Sequence, residues 1–202
     1  MRTTIPSSLR LLGLVLCGLV LSTYSYSQEV VTGPFLTRDG VTYDQNTSEP
    51  VTGIVEEFYD DGQLESRGTF RDGELNGLYE EFYENGQLSE RGTYIDGEFD
   101  DLFETFHENG QLSSRENWID GELNGLEENF DQNGQIIRRS NYISGLQAGL
   151  FEMFHENGQL WLRRNYRDGL QDGLQEDFDE NGNLTKTEMY RNGELIEENN
   201  NP

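Results

Sequence analysis

Along most of the chain, apolar and polar positions alternate with a period of two, in short and regularly interrupted runs. Leu78–Glu84 and Gln87–Ile95 are examples, with leucine, tyrosine and phenylalanine set between glutamates, arginines and serines. Alternation over about eight residues, rich in aromatics and bounded by turn residues, predicts strands. Between Gly62 and Gly193 a glycine falls every 11 or 13 residues, which excludes long helices.

The glycines carry a strict 24-residue period. One series is Gly62, Gly86, Gly110, Gly134, Gly158 and Gly182, each preceded by Asp or Asn. Such pairs favour type I′ turns, in which both central residues take positive φ. A second series, Gly73, Gly97, Gly121, Gly145, Gly169 and Gly193, marks another turn in each copy. A third runs Gly53, Gly77, Gly125, Gly149 and Gly173, with Asp101 in place of one glycine. Six copies of a strand–turn–strand–turn unit predict an all-β antiparallel β-meander of about 12 strands, roughly 55 Å wide.

Stacking the copies shows which side chains recur. Phe58, Phe82, Phe106, Phe130, Phe154 and Phe178 form one column; Phe70, Tyr94, Trp118, Tyr142, Tyr166 and Tyr190 form a second. Leucine or isoleucine fills the columns beginning at Ile54 and at Leu64. These four columns are expected to form the hydrophobic spine, the alternative being an aromatic groove for a ligand. A glutamate column starts at Glu56 and an arginine column at Arg67. A two-residue turn at Asn85-Gly86 puts Glu80 opposite Arg91 and makes a cross-strand ion pair, whereas a one-residue bulge puts it near Gly92.

Composition limits the core and the partners. Apolar residues make up 33% of the chain, against roughly 45–50% in ordinary globular proteins, so a deep two-layer core is hard to fill. The 11 Phe, 10 Tyr and 2 Trp argue against disorder. A formal charge of −25 repels nucleic acid and anionic membrane surfaces and suits a basic protein partner. Arg2 and Arg10, the apolar run Leu11–Leu21 and the small polar stretch to Ser27 read as a Sec-type signal peptide over 1–27. Export to the periplasm, the outer surface or the medium is therefore expected. Cys17, the single cysteine, lies inside the apolar run, with Leu16 where a lipoprotein needs a small residue.

No catalytic motif, P-loop or calcium loop occurs, and no cofactor is implied. Six equivalent glutamates are not an asymmetric catalytic cluster. His107 and His155 occupy the same repeat position, about 19 Å apart by strand count, so they do not converge on a metal. The chain is therefore expected not to be an enzyme. Two positions differ between copies: one begins with Val55, Tyr79 and Phe103, the other with Tyr59, Tyr83 and His107. A fixed scaffold with a variable face is how repeat proteins present binding surfaces. Tyr79, Tyr83, Phe103, His107, Phe151 and His155 are the candidate partner-binding residues, against a reading of ordinary surface variation.

The stretch Phe82–Leu88 with Arg91-Gly92, Tyr94 and Asp96-Gly97 resembles the MORN repeat variant of bacterial YwqK-family antitoxins. Thr37–Tyr43 and Glu49–Gly53 look like the segment that leads into the repeats of those proteins. The resemblance implies an elongated single-layer sheet and a protein-binding role such as neutralising a toxin, and it carries over no catalytic residue. An architectural envelope protein that self-associates is the other reading. The expected organisation is a leader or cap over 28–50, repeats over 51–195 and a disordered acidic tail over 196–202.

Overall fold

A computed structural model describes residues 29–200. The signal-peptide and Cys17 readings lie outside those residues. The described chain contains strands and turns and no helix. It opens with β1 (Val30–Val31), β2 (Phe35–Arg38) and β3 (Val41–Asp44). The repeats follow as β4 (Gly53–Phe58), β5 (Leu64–Arg71), β6 (Glu74–Phe82), β7 (Leu88–Ile95), β8 (Glu98–Phe106) and β9 (Leu112–Ile119). Next come β10 (Glu122–Leu123), β11 (Gly125–Phe130), β12 (Ile136–Ile143), β13 (Leu146–Phe154) and β14 (Leu160–Arg167). The last are β15 (Leu170–Gln171), β16 (Gly173–Phe178), β17 (Leu184–Arg191) and β18 (Glu194–Asn200).

From β4 to β18 each strand pairs with the next in sequence, antiparallel, except that β10 and β15 are short pieces beside β9 and β14. The meander is therefore as expected. β1 adds a parallel pair at the β4 edge, and β2–β3 form a separate hairpin. Of the segment expected as a disordered tail over 196–202, residues 196–200 belong to strand β18, which pairs with β17 as far as Lys186↔Asn200. Its polar composition suggested a tail, but pairing with β17 satisfies the backbone groups along one of its edges.

The two turns of each repeat differ in kind. At Asp72-Gly73 and its equivalents both residues have positive φ (51° and 88° in the first copy), which is a type I′ turn. At Asn85-Gly86 and its equivalents only the glycine does. There Gly86 N–H donates to the Tyr83 carbonyl, and Tyr83 N–H donates to the Gln87 carbonyl. That is a three-residue loop, a type I turn closed by a left-handed glycine and a bulge, instead of the type I′ turn expected for this series. The bulge falls between Glu81 and Phe82, beyond the ion-pair column, so Glu80 still faces Arg91.

The third glycine series sits at positive φ inside the strands, and Asp101 keeps that handedness at φ 75°. A non-glycine residue there stores on the order of 1 kcal/mol of strain. Asp101→Gly is expected to raise the urea midpoint by the equivalent of about 0.5–1 kcal/mol, the gain being reduced by glycine's larger unfolded-state entropy. A lowered midpoint would contradict the strain.

Candidate functional site

Period-two alternation divides the side chains between two faces. One face carries the glutamates and arginines as a continuous ladder. Arg91 faces Glu80 on one side and Glu104 on the other, and the same holds for Arg67, Arg115, Arg139 and Arg163. Ion pairs form at Arg67–Glu56 (2.7 Å), Arg91–Glu104 (2.6 Å), Arg115–Glu104 (3.0 Å), Arg139–Glu128 (3.3 Å) and Arg163–Glu152 (3.2 Å). Arg91 takes Glu104 rather than Glu80, so four of the five expected pairs form within their own hairpin. Glu104 is 3% exposed between its two arginines.

The other face holds the tyrosine column and the variable column starting at Val55. The expected spine is thus split between the two faces. On this second face Tyr79, Tyr94, Phe99, Phe103 and Trp118 form a chain of rings with centroids 4.5–6.0 Å apart. Glycine makes room for it: a Cβ at Gly92 would stand 2.7 Å from the Phe103 ring. Further along, the same face turns polar. Glu127, 6% exposed, binds Arg138; Gln147 donates to Ser140 Oγ at 2.7 Å, and Arg164 to Gln175 at 2.9 Å. Burial pushes Glu90 and Glu116 above the ordinary carboxylate range, with the facing Glu81 adding to the shift at Glu90. Burial and the charges of Glu90 and Glu81 push Tyr94 up to about 12.

The leucine column starting at Ile54 is not core. Leu78, Leu102 and Leu150 stand 49%, 36% and 43% exposed on the ladder face, which no second layer covers.

Both long edges of the sheet are stitched. At the type I′ edge the turn glycine of one hairpin donates its N–H to the hairpin before it, as in Gly97 to Leu75 O and Gly121 to Phe99 O. At the opposite edge side chains reach the next loop. Tyr59 and Tyr83 donate their hydroxyls to Phe82 O and Phe106 O at 2.6 Å. His107 and His155 place Nε2 3.0 Å from Phe130 O and Phe178 O. A carbonyl only accepts, so each imidazole donates from Nε2. The aspartates at this position are acceptors and turn inward: Asp131 Oδ1 takes the N–H groups of Asn133 and Gln135. In that copy the next loop is held by Gln135, which donates to Glu156 O as Gln63 does to Glu84 O beside Tyr59.

The six candidate residues therefore fall in two sets. Tyr79, Phe103 and Phe151 lie mid-strand among the rings, while Tyr83, His107 and His155 brace neighbouring loops along one edge. The donor character shared by Tyr and His was the available signal for that brace. Tyr83→Phe is expected to lower stability by about 1 kcal/mol with no change in fold, measured by urea unfolding.

The MORN repeat variant profile matches residues 51–72, 75–96, 102–120, 123–144, 147–168 and 171–192. The chain belongs to the MORN repeat variant family. In this MORN repeat protein each match starts within a few residues of a strand and ends at a type I′ turn. No curated protein matches the chain. Among solved structures it is similar to a point mutant of S. aureus TarM crystallised with fondaparinux, alpha-GlcNAc-glycerol and UDP. That likeness is 14% identical, with a TM-score of 0.21, over 71% of this chain and 21% of TarM. The chain thus spans about a fifth of that protein's length, and at this score the likeness carries no argument.

Proposed function

We propose that this repeat scaffold is an exported, non-enzymatic protein-binding module, acting as an immunity-like protein that neutralises a basic partner. The observation that carries it is the division of labour within the repeat. Backbone bonds, edge braces and the ion-pair ladder hold a constant frame, and the ladder face leaves repeat-specific apolar and acidic side chains open to solvent. A formal charge of −25 favours a basic partner and speeds its approach. Export rests on Arg2, Arg10 and Leu11–Leu21.

Self-association through the sheet ends is disfavoured. At one end β1 covers only Ile54 and Val55 of β4 and leaves Glu56 and Glu57 beyond it, and at the other the terminal strand β18 carries Glu194, Glu197 and Glu198. Like charges on strand edges are a common guard against end-to-end pairing. Affinity capture from an envelope extract at low salt tests the binding reading. A basic protein released by salt is expected; recovery of nothing overturns it, and a concentration-dependent oligomer in light scattering favours the architectural alternative.

A further inference from the structure

One row of the ladder face is apolar only in the middle of the sheet. Beside the type I′ turns stand Ile95, Ile119, Ile143, Leu146 and Leu170, each 51–64% exposed. The register puts them on a common face, since Ile95 pairs with Glu98, Ile143 with Leu146 and Arg167 with Leu170. The equivalent positions toward the ends are polar, Arg71 and Glu74 at one end and Arg191 and Glu194 at the other. Along the row these side chains are interspersed with Glu98, Glu122 and Arg167, Ile143 and Leu146 are direct neighbours, and Leu146 reaches the next turn, its Cδ2 3.5 Å from where a Cβ at Gly169 would stand. From β7 to β15 it crosses seven strand spacings, about 34 Å, the length of an extended segment of roughly ten residues.

The row also carries free carboxylates. Glu98, Asp120 and Glu122 flank Ile119 in register or at the adjoining turn and enter no ion pair among the described residues. Arg71 and Arg167, nearest the ends of the row, are engaged with Asp96 and Asp172. Exposed branched aliphatics interspersed with uncompensated carboxylates fit an amphipathic cationic segment and repel a second copy of a chain with a formal charge of −25.

We propose that the ridge from Ile95 to Leu170 docks a cationic amphipathic segment of a partner protein, aliphatic side chains on Ile119, Ile143 and Leu146, Lys or Arg on Glu98 and Glu122. This rests on the protein-binding reading and names its surface. The probe is a labelled peptide of about twelve residues alternating valine and lysine, compared by fluorescence anisotropy with the peptide carrying serine for valine. The full chain is expected to bind the valine peptide about tenfold more tightly. Ile119→Glu with Ile143→Glu removes that preference, and Glu98→Gln with Glu122→Gln weakens binding several-fold and flattens its salt dependence. All four positions are solvent-facing, so unchanged circular dichroism and urea midpoints are required of each variant.

Equal binding of the two peptides means bulk charge alone and overturns the proposal, as does a preference that survives the isoleucine substitutions. So does a wild-type dimer that those substitutions dissolve. In the extract experiment, a partner retained by the isoleucine variant overturns the ridge and leaves the scaffold reading standing. A wild type that retains nothing overturns the scaffold reading itself.

Discussion

Replacing Glu104 by glutamine is expected to destabilise the protein by about 2 kcal/mol at neutral pH, with the slope of the urea transition unchanged. Among the described residues Glu104 is the ladder carboxylate held most closely on both sides, 2.6 Å from Arg91 and 3.0 Å from Arg115, against 3.6 Å and 3.2 Å for Glu152, and it is 3% exposed. The loss stays below the 3–5 kcal/mol typical of a broken buried pair because both arginines are nearly half exposed and regain water. Burial pushes the Glu104 carboxyl up, but the hydrogen bonds and charges of the two guanidiniums outweigh it and hold it below the ordinary glutamate range. A depressed folded pKa means that the stabilisation is complete above the unfolded value. It is lost as the pH falls through the folded value. The gap between wild type and Glu104→Gln should therefore close on acidification, followed by urea midpoints across the acid range. A gap that persists into strong acid would mean that packing, not charge, sets it. Glu80 is the control: Arg91 turns away from it toward Glu104, so Glu80→Gln is expected to cost under about 0.5 kcal/mol.

The strands and their order were legible because alternation and glycine spacing are local signals, and a meander needs nothing else. The two columns of the ladder were legible for the same reason, but their register was not: spacing alone left Glu80 opposite either Arg91 or Gly92, and the position of the bulge beyond Glu81 decides for Arg91. The turn at Asn85-Gly86 was misread because that dipeptide serves both a type I′ turn and the last two places of a three-residue loop. The difference lies in the φ of Asn85, which is set by Tyr83 and Gln87 closing the loop. The leucine column at Leu78 was misread because an apolar alternation does not say which face has neighbours. In a single layer both faces are open, and on the opposite face Phe70, Tyr79 and Leu75 crowd Gly68 and the Phe103 ring crowds Gly92. The edge role of Tyr83 and His107 depends on a carbonyl 23 residues away, and a copy-by-copy comparison shows variation there without the bond that explains it. The exposed ridge at Ile119 and Ile143 escaped the stacking because its column is apolar in only three copies, with Arg71, Arg167 and Arg191 at the equivalent places.

Gly73→Ala is expected to cost about 3 kcal/mol, and the other type I′ turns supply the comparison. Gly73, Gly97 and Gly145 occupy the same place in their repeats with similar φ, 88°, 83° and 74°. A side chain at any of them carries the left-handed penalty of about 1 kcal/mol. Around Gly97 and Gly145 nothing lies within 4 Å of an added Cβ, so alanine there meets only that penalty. At Gly73 the Cβ would overlap Val41 Cγ1 and stand 2.8 Å from the Thr42 carbonyl oxygen. The first turn of the repeats is where the β2–β3 hairpin docks: Thr42 N–H donates to Gly73 O, and Gly73 N–H to Val51 O, both at 2.7 Å. Backbone cannot give way as a side chain tip can, so the hairpin must shift and strain or break these bonds, at about 1 kcal/mol each. Val51, 3% exposed beneath that contact, would then meet water. Urea unfolding of the three alanine variants, with hydrogen exchange at the Thr42 amide, separates the contributions. A larger loss and faster exchange only for Gly73→Ala is the expected pattern. Equal losses at all three would mean that the hairpin rests on the repeats without stabilising them. The cap would then have to be explained by what it shields at the β4 edge, not by what it binds.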